Sequence, residues 1–201
     1  MSARWWARVV PAVVGAAWLS AAAVWTPGFR AFTSFSAARV AAGPLPRAAP
    51  PLPVVDQSGA KWDVGAPSPQ YRLVQAMYLR CPDVCPIAMG GLGRIVHDLD
   101  DLVPDRLRVV SLSVDRDPPS SLEAMWSAHG AHIGWSMAAL EGDSADRTLA
   151  RLGVWKYRRR DGLINHSLDL LLLDHAGRVV HVFSPDEDAD AVAAEVRRMI
   201  P

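Results

Sequence analysis

Two cysteines, Cys81 and Cys85, stand four residues apart in Arg80-Cys81-Pro82-Asp83-Val84-Cys85-Pro86, and the 201-residue chain has no others. Two thiols cannot build a disulfide scaffold or fill a four-thiolate zinc or iron–sulfur site. Pro86 lacks an N–H and disfavours helical backbone at Cys85, which predicts a tight loop over 81–85 and a helix opening at Pro86. Whether loop or first turn, the spacing brings both sulfurs to one side. Nearby backbone N–H groups and Arg80 favour thiolates there. Two soft thiolates at one point suit Cu(I). They could equally close a redox-active disulfide, provided their α-carbons lie within about 4.4–6.8 Å. A merely structural disulfide would close a tiny loop and gain little. Haem attachment is excluded, because no Cys-x-x-Cys-His occurs.

The elements that must carry these thiols read as alternating strands and helices. Tyr71 to Leu79 is a strongly apolar run of strand length that ends at Cys81. A helix is expected to follow to about Leu102, with Leu92, Ile95, Val96 and Leu99 at helical spacing. Leu107 to Val114 reads as a second buried strand. Pro118 to Ser121 opens another helix, with Ser120 and Glu123 at capping-box spacing. Ser144 to Leu152 predicts a shorter helix. Leu168 to Leu173 and Val179 to Phe183 flank Asp174-His175-Ala176-Gly177 as a hairpin, and Asp186 to Met199 closes the chain as a helix with Arg197 and Arg198 in its last turn. Pro53 to Asp56 with Gln57-Ser58-Gly59 reads as a strand and turn. This order is that of an α/β, thioredoxin-like sandwich, in which a strand delivers a cysteine motif to the start of a helix.

The first fifty residues differ in character. They hold five arginines and no acid, while the remainder carries a net charge of −5. A mildly acidic body argues against nucleic acid as a partner. Arg4 and Arg8 precede seventeen uncharged residues, Val9 to Trp25. A membrane span takes about 17–25 residues and a signal-peptide apolar region about 7–15. Trp18 and Trp25 suit an interfacial belt, which favours an uncleaved N-terminal membrane-anchor helix with the body outside the cytoplasm; Ser20-Ala21-Ala22-Ala23 leaves a cleaved signal open. Residues 27–50 are Pro- and Ala-rich and read as a tether with no packed core. The expected organisation is therefore an anchor or signal at 1–26, a tether at 27–50 and the thioredoxin-like domain at 51–201.

Met77 to Pro86 resembles the copper motif of the Sco/SenC family, C-P-x-x-C-P after an apolar strand. Ser113-Val114-Asp115 is similar to that family's Ser-Val-Asp at the end of the next strand. Asn165-His166-Ser167 stands where the family places a ligand histidine. Leu79, by contrast, occupies a position that is often Thr. The resemblance implies that Cys81, Cys85 and His166 bind copper, as Cu(I), Cu(II) or both. It implies that Cys81 and Cys85 form a redox-active disulfide, and that Asp115 lies just behind the ligands. It further implies a bacterial cytoplasmic membrane protein with its domain on the periplasmic side. Such a protein receives electrons from a periplasmic thiol reductant. It delivers copper to the binuclear copper centre of a respiratory oxidase subunit, or reduces that subunit's cysteines.

The other histidines offer competing ligands. His97 is expected on the solvent side of its helix, and His175 and His181 in plain surface roles. His129 and His132 flank Gly130 and could form a second metal patch. His166 takes the place where thioredoxin-like enzymes carry a cis-proline against the cysteine motif, so an imidazole there can point at the sulfurs; an ordinary loop histidine is the alternative. A thiol-disulfide oxidoreductase would want C-x-x-C and a cis-proline, and the chain has neither at these positions. A thiol peroxidase would want a hydroxyl where Leu79 stands. A copper or redox sensor is the other reading of the same residues.

Overall fold

The computed structural model describes residues 3–81, 84–142 and 145–201, with the backbone alone at residues 3, 4 and 84–86. The chain opens with helix α1, Ala3–Trp25. Its stretch Trp5–Trp25 has a mean hydropathy of 1.6 and nothing buried, so it is long and apolar enough to cross a membrane.

The expected tether is largely structured. Thr33 caps α2, Ser34–Ala41, through a reciprocal bond pair with Ser36. Strand β1, Arg47–Ala48, then adds to the edge of the main sheet. The segment is seated by long-range contacts. Arg39 grips Asp169 with two bonds of 2.9 and 2.5 Å, Arg47 donates to the Leu152 carbonyl, and Phe35 meets Trp155 edge-on at 4.9 Å. No side chain of α2 is itself buried, so polar and edge contacts hold it where a core does not.

Next come β2, Pro53–Asp56, β3, Lys61–Asp63, β4, Tyr71–Met77, α3, Val84–Asp98, β5, Leu107–Ser113, and α4, Pro119–Ala128. They are followed by β6, Trp135–Leu140, α5, Ala145–Leu152, β7, Lys156–Arg158, and β8, Ile164–His166. The chain closes with β9, Leu170–Leu173, β10, Arg178–Phe183, and α6, Ala189–Met199. Strand order in the main sheet is β1-β10-β9-β4-β5-β6-β2-β3, with β4, β5 and β6 parallel and the other pairs antiparallel. β7 and β8 form a separate hairpin.

Alternation along the central strands builds a core on each face. Leu73, Met77, Val109 and Leu172 face α3 and α6, while Val74, Ala76, Val110, Leu112 and Leu171 face Leu149 and Leu152 of α5. Burial on both faces is why β4 and β5 read as continuous apolar runs. The arrangement is the expected thioredoxin-like sandwich, with three local departures. α3 starts at Val84, two residues before the expected Pro86, and Pro86 still lies in the first turn, where its missing N–H costs no bond. β6, β3 and the β7–β8 hairpin are additional strands. The Ser120–Glu123 capping box does not form, because Pro118 takes the N-cap position and no side chain caps the helix.

Candidate metal and thiol site

The site gathers at the C-terminal end of β4. A tight turn, in which the Cys81 N–H donates to the Tyr78 carbonyl at 3.2 Å, carries the chain from the strand to the start of α3. Cys81 is half-buried and packs against the cluster that contains Tyr78 and Ile164. Cys85 falls in the first turn of α3; its side chain, and Pro82 and Asp83, lie outside the described residues. Among the described residues no three His, Cys, Asp or Glu side chains form a metal-binding group.

His166 ends β8 opposite Lys156 of β7 and is 9% exposed. Its Nδ1 lies 2.8 Å from the Ser167 carbonyl. A carbonyl can only accept, so Nδ1 carries the proton and Nε2 keeps its lone pair. Burial pushes the imidazole pKa below its ordinary value; the bond to Ser167 opposes that, and the Lys156 ammonium adds to it. The result is the neutral imidazole, the form that ligates metals. The backbone that carries it is pinned residue by residue. Ser167 exchanges bonds with Trp155, its N–H to the carbonyl (2.9 Å) and its Oγ from the N–H (2.8 Å). Gln75 of β4 donates to the Leu168 carbonyl at 3.3 Å, and Asp169 is held by Arg39.

Asp115 sits just past β5 and joins both sides of the site. It pairs with Arg80, the residue before Cys81, and with Arg158 of β7 at 3.1 Å. Burial pushes its carboxyl up, but the Arg116 N–H and the charges of Arg158 and Arg80 outweigh that and hold it below the ordinary carboxylate value. Ser113 secures the turn, accepting from the Asp115 N–H and donating to Asp117. A cavity of about 200 Å³ beside Asp115 is lined by Arg116, Asp146, Lys156 and Arg158.

The remaining histidines are spread over the surface. His97 is exposed on α3, as expected, and His175 lies in the hairpin turn against Tyr71. His181 lies against Phe183, its ring tilted by 46° at 4.4 Å. His129 is half-buried at the end of α4, while His132 is exposed. Arg39, Arg158, Trp155 and Ser167 escaped the sequence reading; they act through pairings that join segments far apart in the chain, and local spacing carries no signal for them.

The family model described as SCO1/SenC matches residues 43–201. No curated protein sequence matches the chain closely enough to count as a relative. Among solved structures, the fold is similar to Arabidopsis thaliana ScoI with copper bound, with a TM-score of 0.65 and 16% identity over 75% of this chain and 99% of that one. It is similar to Bradyrhizobium japonicum ScoI with copper bound, at a TM-score of 0.61 and 24% identity over 75% and 98%. It is also similar to BsSco, a member of the Sco family of cytochrome c oxidase assembly proteins with an identified disulfide switch (TM-score 0.60, 18% identity, 78% and 95% covered). At these identities the likeness shows the fold.

Proposed function

This chain belongs to the SCO1/SenC family, and from that premise we propose that it is a membrane-tethered copper carrier whose Cys81, Cys85 and His166 hold the metal. The cargo passes to the binuclear copper centre of a respiratory oxidase subunit, or the same thiols reduce that subunit's cysteines beforehand. Copper bound in two relatives, and the assembly role and disulfide switch named for a third, support the reading. The observation that carries it is His166, a buried, neutral imidazole fixed by its Nδ1 bond to the Ser167 carbonyl, on the hairpin that Asp115 ties to the Cys81 turn.

Each part then has a task. Two thiolates satisfy Cu(I), and the imidazole supplies the nitrogen donor that Cu(II) prefers. Asp115, through Arg80 and Arg158, ties the Cys81 turn to the hairpin that ends at His166 and keeps both halves in register. When Cys81 and Cys85 pass two electrons and two protons to a disulfide of the oxidase subunit, which becomes two thiols, they close a disulfide themselves and copper has no thiolate to bind. A periplasmic dithiol, itself oxidised to a disulfide, returns them. α1 anchors the chain in the bacterial cytoplasmic membrane, with the 51–201 domain on the periplasmic side.

The test compares copper states. Cys81→Ser or Cys85→Ser abolishes tight copper binding. His166→Ala weakens Cu(II) binding by roughly 100-fold or more, given that even outer partners of a metal ligand are worth about 10–100-fold, and removes the sulfur-to-copper absorption band. The same variant still holds Cu(I) against a moderate chelator. His97→Ala, His175→Ala and His181→Ala leave both forms unchanged. A spectrum that survives in His166→Ala and collapses in His129→Ala or His132→Ala refutes the ligand set.

A further inference from the structure

We propose a second soft-metal site beside the thiols, a thioether and imidazole pocket that holds Cu(I) without drawing on both cysteines. A cavity of about 210 Å³ lies between the end of β4, α3 and α4, and its walls include Met77, Leu79, Cys81, Met89, Met125 and His129. Three of the chain's six methionines meet here. Methionine commonly fills irregular gaps in a core, and Met77 and Met89 are indeed buried. Filling, however, removes space; here three methionines and a histidine line space that stays open. The cavity is not sealed, because Leu79, Cys81, Met125 and His129 are each partly exposed.

The donors are oriented. His129 stands four residues after Met125 on one face of α4, and its Nδ1 lies 2.9 Å from the Met125 carbonyl. A carbonyl can only accept, so Nδ1 carries the proton of the neutral ring and Nε2 is its acceptor nitrogen, the arrangement that supports an imidazole ligand. Trp135 Nε1–H donates to Ser111 Oγ at 3.0 Å, and Ser111 Oγ–H donates weakly to the Met89 sulfur at 3.8 Å, which steadies the thioether and leaves it a further lone pair. No carboxylate is among the described lining residues, so hard cations find no oxygen ligand. Thioethers with one imidazole select Cu(I).

This inference rests on the copper-carrier reading and deepens it. Thioethers form no disulfides, so this donor set survives when Cys81 and Cys85 are oxidised. Because Cys81 forms part of the wall, a Cu(I) ion waiting in the pocket is adjacent to the thiol site when reduction restores it. No electron transfer is required of the pocket.

The experiment titrates the detergent-solubilised full chain with Cu(I) under anaerobic, reducing conditions against a moderate chelator. Wild type takes up a second, weaker equivalent after the first. Cys81→Ser/Cys85→Ser loses the tight equivalent and keeps the weaker one, whereas Met125→Leu/His129→Gln keeps the tight one and loses the weaker. Methyl-labelled methionine spectra of the cysteine-free chain provide a readout that needs no substitution at the pocket. Adding Ag(I), a closed-shell stand-in for Cu(I), shifts the Met77, Met89 and Met125 methyls and leaves Met137 and Met199 in place. A cysteine-free chain that takes up no Cu(I) and shows no methyl shift overturns the pocket and leaves the carrier reading intact. A cysteine-free chain that keeps the tight equivalent overturns the carrier reading instead. Should Met125→Leu/His129→Gln misfold by circular dichroism, the methyl shifts alone decide.

Discussion

Removing the Arg39 guanidinium tests whether the segment ahead of the sheet is a working part of the domain. The Asp169 side chain is 5% exposed and both its oxygens are bonded to Arg39, whose own side chain is 42% exposed. Breaking a fully buried pair by deleting one partner costs about 3–5 kcal/mol, while an exposed pair contributes about 0–1 kcal/mol. This pair is asymmetric. The carboxylate is desolvated whether or not Arg39 is present, but water already reaches the guanidinium and screens part of the attraction. An intermediate cost of about 2 kcal/mol follows for Arg39→Ala. In a chain of this size about 1 kcal/mol moves Tm by about 2–4 °C, so the expected drop is about 4–8 °C. Thermal and urea unfolding of Arg39→Ala, Asp169→Ala and the double variant measure it, and the cycle isolates the pairwise part. Coupling of about 1 kcal/mol or more is expected. Limited proteolysis adds a local readout, since α2 released from Asp169 exposes residues 27–50 to cleavage. A Tm change below about 1 °C with unaltered proteolysis would refute the reasoning, because at that size the Asp169 carboxylate must be solvated without Arg39.

Two further outcomes follow from the fold. Burial pushes the Asp174 carboxyl up, but the Arg178 side chain and the N–H groups of Arg178 and Ala176 outweigh it and hold the group below its ordinary 3.8. A carboxyl lowered on folding adds stability above its unfolded value and loses it as pH falls through the folded one. Asp174→Asn is therefore less stable at pH 7, with a flatter loss of stability below about pH 4; identical acid limbs in urea unfolding would contradict this. Gly177 has φ +74°, and a Cβ there would lie 2.1 Å from the Gly65 carbonyl oxygen, whereas Gly162 has φ +85° with nothing within 4 Å. Gly162→Ala should cost about 1 kcal/mol, the backbone penalty alone, and Gly177→Ala distinctly more; equal Tm losses would show that the close approach to Gly65 relaxes freely.

The central fold was legible because its strands carry their burial in their own composition. Tyr71 to Leu79 and Leu107 to Val114 are continuous apolar runs because both faces of β4 and β5 are covered. β6 was not, since Trp135-Ser136-Met137-Ala138-Ala139-Leu140 has no β-branched residue and is a strand through its pairing with β5 and β2. The β7–β8 hairpin is mostly polar and exposed, with Ile164 and His166 its only buried members among the described residues. Capping gives the sharpest contrast. Ser120 and Glu123 have the signature spacing and do not cap, because Pro118 takes the N-cap position. Thr33 and Ser36 lack the usual Glu or Gln and yet form the reciprocal pair in a stretch that reads as a tether.

The same division runs through the site. Cys81 and Cys85 announced themselves, because thiols at that spacing beside prolines have few other uses. His166 was singled out by resemblance. What suits it to ligate, the Nδ1 bond to Ser167, the Lys156 charge and the Trp155–Ser167 clasp, exists only once β7 pairs with β8. His129 and His132 read from the sequence as one patch, and both rings lie beside Trp135, at 5.9 and 6.4 Å. His132 is exposed, while His129 turns to Met125 and, with Met77 and Met89, encloses a cavity against Cys81. Methionine is silent in a sequence because core filling and soft-metal binding ask for the same side chain. What distinguishes them is whether the space between the sulfurs is closed, and that is a property of packing. Two soft sites that share Cys81 as a wall, one able to close a disulfide and one not, would let the carrier keep its cargo through the redox cycle that its thiols must undergo.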